Sequence, residues 1–333
     1  MINDPKLFRH RTRGAGRPQV VLCGNGLERA EGQPGWGELL NALRAPGVPE
    51  LADGDPRWDL PFPLLYQLLS TPVPAPPTLS RDDVEAEERR LRDGLSRLSS
   101  GRVALLDRLP GLCPDHVLTT NYTYCLERSF LPGRDFSFGR ARTASRFCLL
   151  GPREDGRPRS ETCYRLHTGY LASNADGSPV GLWHAHGEVS VPRGVVVGHD
   201  RYGRLLARAQ ACCDRRYGGG SKEPAARAYS SWPELFLFGD VYVVGFGMET
   251  CEADMWWLLR RKQRERYADG RVYFFDNGGG GGLRDRLLEA HGVAINSGVE
   301  RVPGDYGAFY RAALDRIGEL ICQNRRDGHP ERL

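Results

Sequence analysis

Short apolar runs alternate along this chain with longer stretches in which apolar residues recur every three or four positions. Gln19–Cys23 (QVVLC) is continuous and β-branched, and Gly24-Asn25-Gly26 follows at once. Such a run predicts a strand buried on both faces. Residues 34–44 (PGWGELLNALR) and 61–70 (PFPLLYQLLS) predict helices, with a segment between them broken by Pro and Gly. After a Pro-rich bend at 71–79, Ser80-Arg81-Asp82-Asp83 has the acidic first turn that a helix dipole favours. Val84, Leu91, Leu95 and Leu98 then follow at helical spacing. His116–Thr119 predicts the second strand, so a helical block at 38–108 lies between the two.

Residues 123–130 predict another helix, and 133–163 are expected to be irregular around a short apolar run at 147–150. Residues 181–185 and 194–198 (GVVVG) are further strand candidates, and the Gly-, Ser- and Ala-rich stretch 214–231 predicts a mobile loop. Thereafter DVYVVG (240–245) predicts a strand and 252–267 a helix with a basic end. RVYFF (271–275) predicts a strand, 283–291 a helix, 292–295 a short strand and 306–322 a last helix. No internal repeat is visible. Apolar strands alternating with helices predict an α/β fold, with a mostly parallel sheet and helices on both faces.

Composition narrows this little. The 333 residues are 40% hydrophobic and 26% charged, as in ordinary globular proteins, and the length admits two domains or one core with insertions. A net charge of +4 neither requires nor excludes nucleic acid. The Arg-rich stretch 81–102 also carries many carboxylates and reads as a solvated helix face. The nine cysteines form no C-x-x-C and their number is odd, which argues against a disulfide framework and a four-Cys zinc site. There is no apolar run of about 18 residues and no apolar leader in the polar lead-in at 1–18, so a cytoplasmic protein without a membrane span is expected.

The chemistry concentrates at strand ends, where open α/β sheets bind ligands. Gly24-Asn25-Gly26 allows close backbone approach to a phosphate, or simply a tight turn. Arg29 stands where the third glycine of G-x-G-x-x-G would be, and no G-x-x-x-x-G-K-[ST] occurs. Leu118-Thr119-Thr120-Asn121-Tyr122 ends the second strand. Its Asn121 is either a helix cap or an amide that orients a sugar hydroxyl or an attacking water. In Leu182-Trp183-His184-Ala185-His186-Gly187-Glu188, His184 reads as a satisfied core residue. His186, beside Gly187, is the candidate general base. No third metal ligand accompanies the two histidines, and no metal is expected. Gly245-Phe246-Gly247 ends another strand, and Glu249, Glu252 and Asp254 after it read as acidic helix capping. Asp276-Asn277 offers polar groups to an adenosine ribose, or a turn into the five-Gly run.

The order QVVLC–GNG–PGWGELL, LTTNY, LWHAHGEV, GHDRYGRLL and DVYVVGFGMETCEADMWWLL resembles the bacterial sirtuin-like domain family. More narrowly, it is similar to the branch with a Gly-Asn-Gly first loop that serves antiviral defence as NAD-consuming effectors. The similarity runs from about residue 19 to 295. It implies a single Rossmann-like NAD-binding domain over 1–333 with 38–108 as its helical insertion. NAD would be the substrate, with Gly24, Asn25 and Gly26 at the pyrophosphate. Asn121 and His186 would act at the nicotinamide ribose, flanked by Thr120 and Tyr122. Gly245, Phe246, Gly247 and Asn277 would line the adenosine side. The family also implies a homo-oligomer and a separate trigger, in some cases a HerA-like ATPase. No membrane or nucleic-acid contact is implied.

Three departures accompany the resemblance. The four-Cys zinc ribbon of deacylating sirtuins is absent, Thr123 replaces an Asp, and Gly247 replaces a Ser. The missing ribbon favours NAD hydrolysis over peptide deacylation. The two substitutions keep open an NAD- or ADP-ribose-binding sensor without turnover. A dehydrogenase is weaker, because the glycine fingerprint is incomplete.

Overall fold

A computed structural model of the chain describes residues 16–98, 101–133, 146–150, 161, 163–217 and 228–327. Its strands are β1 (Gln19–Cys23), β2 (His116–Thr119), β3 (Arg146–Cys148), β4 (Thr168–Ser173), β5 (Pro179–His184), β6 (Asp240–Val244), β7 (Val272–Phe275) and β8 (Val293–Ile295). They form one sheet in the order β3-β4-β5-β2-β1-β6-β7-β8. From β5 to β8 every neighbouring pair is parallel, while β3 and β4 add an antiparallel edge. Numbered by appearance, the parallel strands run 3-2-1-4-5-6, the order of dinucleotide-binding Rossmann folds.

The segment between β1 and β2 contains α1 (Gly26–Arg29), α2 (Trp36–Ala42), α3 (Phe62–Ser70) and α4 (Arg81–Leu98). Later helices are α5 (Cys125–Phe130), α6 (His199–Asp214), α7 (Trp232–Phe238), α8 (Ala253–Arg264), α9 (Leu283–Ala290) and α10 (Tyr306–Asp327). Side chains alternate across a strand, so each buried strand feeds two cores. Val21, Cys23, Tyr242 and Val244 share one core with Leu40, Leu65 and Phe309 from α2, α3 and α10. Val20, Leu22, Val241 and Val243 share the other with Leu205, Phe236 and Leu258 from α6, α7 and α8. The chain therefore leaves β1 towards one face and β6 towards the other. That reversal opens a crevice at the carboxyl ends of β1 and β6, the usual ligand position in such sheets.

Several expectations need correction. Residues 194–198 form no strand. A 3-10 turn (Pro192–Gly194) precedes buried Val195, Val196 and Val197, which run across the sheet end, with the Val196 N–H donating to the His186 carbonyl at 2.8 Å. Their valines satisfy both cores instead of a ladder: Val195 and Val197 join one and Val196 the other. The apolar run at 147–150 contributes to β3, and β4 and α6 are elements that local pattern did not single out. Of the stretch 214–231, residues 218–227 lie outside the described residues. On its flanks, Arg215–Tyr217 is a 3-10 turn and Ser231 is wholly buried. Among the described residues, no helix is long and apolar enough to cross a membrane.

Candidate functional site

The loops after β1 and β6 interlock. The Gly26 N–H donates to the Gly245 carbonyl at 2.7 Å, and the Gly24 N–H to Val244 at 3.2 Å. A Cβ on Gly24 would stand 2.6 Å from the Gly245 oxygen, and one on Gly26 2.7 Å from it. Gly245 itself has φ +66°, a left-handed conformation that glycine adopts without penalty. The glycines thus permit a close approach of two backbone turns to each other. Phe246 is buried, whereas Gly247 is exposed and its carbonyl accepts from Arg284 at 2.9 Å.

Asn121 lies two residues beyond the end of β2 and does not cap α5, whose N-terminus has no side-chain cap. Its Nδ2 donates instead to Glu28 Oε1 on α1 at 2.7 Å. Its backbone carbonyl lies 2.8 Å from His184 Nδ1, and His184 Nε2 lies 2.8 Å from Glu127 Oε1. A carbonyl and a carboxylate both accept hydrogen bonds, so the imidazole clamps the Asn121 loop to α5. His184 is buried, as expected, but its role is to position Asn121. Thr120 is buried, with its N–H on the Cys23 carbonyl at 3.2 Å. The Tyr122 hydroxyl donates to the Val196 carbonyl at 2.8 Å.

A cavity of about 50 Å³ opens between these loops, lined by Asn25, Glu28, Trp36, Asn121, Tyr122 and Thr123, among others. Glu28 is only 7% exposed. Burial drives its carboxyl up to about 7, against the Asn121 hydrogen bond that favours the ionised form. Sequence reasoning missed Glu28. Its only signal was a carboxylate two residues beyond a glycine loop, which is equally ordinary first-turn chemistry.

His186 does not line that cavity; it is linked to Tyr122 through Val196, whose carbonyl accepts from the Tyr122 hydroxyl and whose N–H donates to the His186 carbonyl. It is 2% exposed, with Nε2 3.0 Å from Asp254 Oδ2 and 3.8 Å from Glu252 Oε2. Burial alone would lower the imidazole, but Asp254 and then Glu252 outweigh it and raise the pKa. Burial likewise pushes the Glu252 carboxyl up, with His186 opposing and the Asp254 charge adding to the rise. Glu252 also accepts from the Tyr202 hydroxyl at 2.8 Å. The expectation that these acids cap α8 is therefore corrected, since the helix N-cap has no side-chain hydrogen bond. They turn inward because a buried imidazole offers them the partner that solvent would otherwise provide. One ligand atom from each of these three side chains lies within 4.8 Å of the other two, close enough to hold a metal, whereas the expectation from sequence was none.

Asn277 is buried, and both ends of its amide are used on Val302: Nδ2 to the carbonyl and Oδ1 to the N–H, each at 2.7 Å. In this arrangement it clamps the loop before α10. A much larger cleft, about 810 Å³, lies between α3, α4 and α6, with Tyr66, Glu87, Arg90, Tyr164, Arg193 and Arg201 among its walls. None of the residues expected from sequence lines it. No known family model matches the chain, and no curated protein matches it.

Proposed function

We propose that this protein is an NAD⁺ hydrolase that cleaves the nicotinamide–ribose bond to give nicotinamide and ADP-ribose. The observation that carries this is the convergence of Asn25, Asn121 and a buried carboxylate on one cavity beside the β1 and β2 ends, with a carboxylate-paired His186 on the loop after β5. The resemblance to the sirtuin-like family, with its order of loop motifs, supplies the substrate. The scissile bond suits such a site because nicotinamide leaves as a neutral molecule, and the ribosyl centre becomes oxocarbenium-like. Asn121 orients the ribose or the attacking water. His186 accepts a proton from a ribose hydroxyl, a role worth about 10²- to 10⁴-fold in rate. Gly24, Asn25 and Gly26 hold the phosphates, and the Gly245–Gly247 turn takes the adenosine side.

The cavity, at about 50 Å³, is far smaller than the roughly 300–1,000 Å³ of ordinary ligand pockets, so substrate entry requires the α1–α2 segment or its neighbours to move. That fits an NAD-depleting effector of bacterial anti-phage defence, acting in the cytoplasm and held inactive until triggered. A homo-oligomer or a separate partner, such as a HerA-like ATPase, would supply the trigger. The same closed cavity also favours a second reading, a sensor that binds NAD or ADP-ribose without turnover.

Incubation of the purified protein with NAD⁺, monitored for free nicotinamide, separates the two. Hydrolysis in the wild type that survives unchanged in both His186→Ala and Asn121→Ala would overturn the residue assignment. Tight calorimetric binding with no release, even with the partner present, would establish the sensor.

A further inference from the structure

We propose that Glu28 is the catalytic carboxylate of the Asn121 cavity, the group that takes the proton from the water attacking C1′ of the nicotinamide ribose. This rests on the NAD-hydrolase reading and assigns its proton acceptor to a residue outside the Asn/His pair that the family resemblance points to. Three observations converge on Glu28. It is an ionisable side chain in the wall of the cavity, whereas His186 is not part of that wall. Its Oε1 is held by the Asn121 amide at 2.7 Å, and the Cys125 thiol also hydrogen-bonds the carboxyl, so the group is fixed in the cavity wall. Its carboxylate is buried, and among the described residues no basic side chain is bonded to it, an arrangement of low value to stability that is typical of acid–base groups in active sites.

The surroundings complete the electrostatics. The titratable groups acting on Glu28 are Cys23 on β1, Cys125 and Glu127 on α5, and His184 on β5. From α2 and α4 the cavity receives Trp36, Leu39 and Leu95, apolar walls that contribute to the burial which raises the carboxyl towards neutrality, the range in which a general base works best. In the step itself, the C1′–N1 bond breaks and its electron pair returns to the pyridinium ring, so nicotinamide leaves neutral. Water oxygen forms the new bond to C1′, and one of its protons passes to Glu28, which later releases it to solvent. The sum is NAD⁺ plus water giving nicotinamide, ADP-ribose and one proton. His186 meets the ribose hydroxyl once the movement that admits substrate has opened the site, so the two ionisable groups serve different oxygens.

The test uses the full chain, with its activating partner where one is needed. Glu28→Gln is expected to lower kcat for nicotinamide release by about 10²- to 10⁴-fold while ADP-ribose affinity stays within threefold. Formate is expected to restore part of the rate to Glu28→Ala but none to His186→Ala. Independently of turnover, ¹³C-labelled glutamate in the wild type should show two carboxyls titrating near 7, Glu28 and Glu252, of which Glu28→Gln loses one and Glu252→Gln the other. An active wild type whose Glu28→Gln variant keeps its rate within threefold would overturn the proposal. So would a variant that loses ADP-ribose binding in parallel with rate, because Glu28 would then be structural. A wild type that releases no nicotinamide under any trigger fails the hydrolase reading itself, and is distinguished from both by the carboxyl titration.

Discussion

Replacing Glu28 with Gln tests the electrostatics of the cavity without reference to catalysis. The substitution keeps size and shape, and Gln can still accept from Asn121. It removes the ionisation. Between the ordinary value of 4.5 and its folded value of about 7, the native protein holds a proton on Glu28 that the unfolded chain has already lost. The native state thus binds more protons there, and its stability falls as pH rises through that window. Each tenfold difference in proton affinity between the folded and unfolded chain is worth about 1.4 kcal/mol. The full effect is therefore about 3 kcal/mol, of which about 2.5 kcal/mol falls between pH 5 and pH 8. The Gln variant lacks this dependence on pH. Urea unfolding of both proteins at pH 5 and pH 8 gives the difference of differences, in which any constant cost of the amide cancels. The variant should gain about 2.5 kcal/mol relative to wild type on going from pH 5 to pH 8. A relative change below about 0.5 kcal/mol, smaller than one charge-assisted hydrogen bond, would refute a strongly desolvated Glu28.

Other substitutions separate architecture from chemistry. Gly26→Ala places a methyl 2.7 Å from the Gly245 oxygen; it should destabilise by about 1–3 kcal/mol in urea unfolding, and a loss under 0.5 kcal/mol would mean that the two turns part easily. Asp254→Asn replaces the acceptor at His186 Nε2 with a group that can also donate, which removes the fixed tautomer. Hydrolysis should drop about 10²- to 10⁴-fold, and the imidazole pKa read by ¹⁵N NMR should fall below that of wild type. An unmoved imidazole would disprove the pairing. Asn277→Ala loses both hydrogen bonds to Val302 and should lower stability by about 1–3 kcal/mol with ADP-ribose affinity unchanged. An affinity loss without a stability loss would return Asn277 to the ligand.

Much of the fold was legible because its signals are local. QVVLC, DVYVV and RVYFF are too apolar and too β-branched to be anything but buried strands, and they are β1, β6 and β7. The helices between them carry their period in the sequence. β4 escaped notice because it lies at the antiparallel edge and mixes small and polar residues, and GVVVG misled because three valines in a row look like a strand wherever they lie. Only the packed sheet end shows that they run across both cores.

By itself the sequence determined the α/β class, the strand ends that carry polar residues, and the resemblance that turned them into an NAD-site hypothesis. Tertiary structure decided which of those residues share a cavity and what each one touches. It placed Asn121 against Glu28, His186 against Asp254, and spent Asn277 on Val302. The partners lie 93, 68 and 25 residues apart in the chain. Local pattern reports propensity within a few residues, whereas burial and charge pairing depend on which distant segments the sheet brings together, and those set the protonation of a carboxylate such as Glu28.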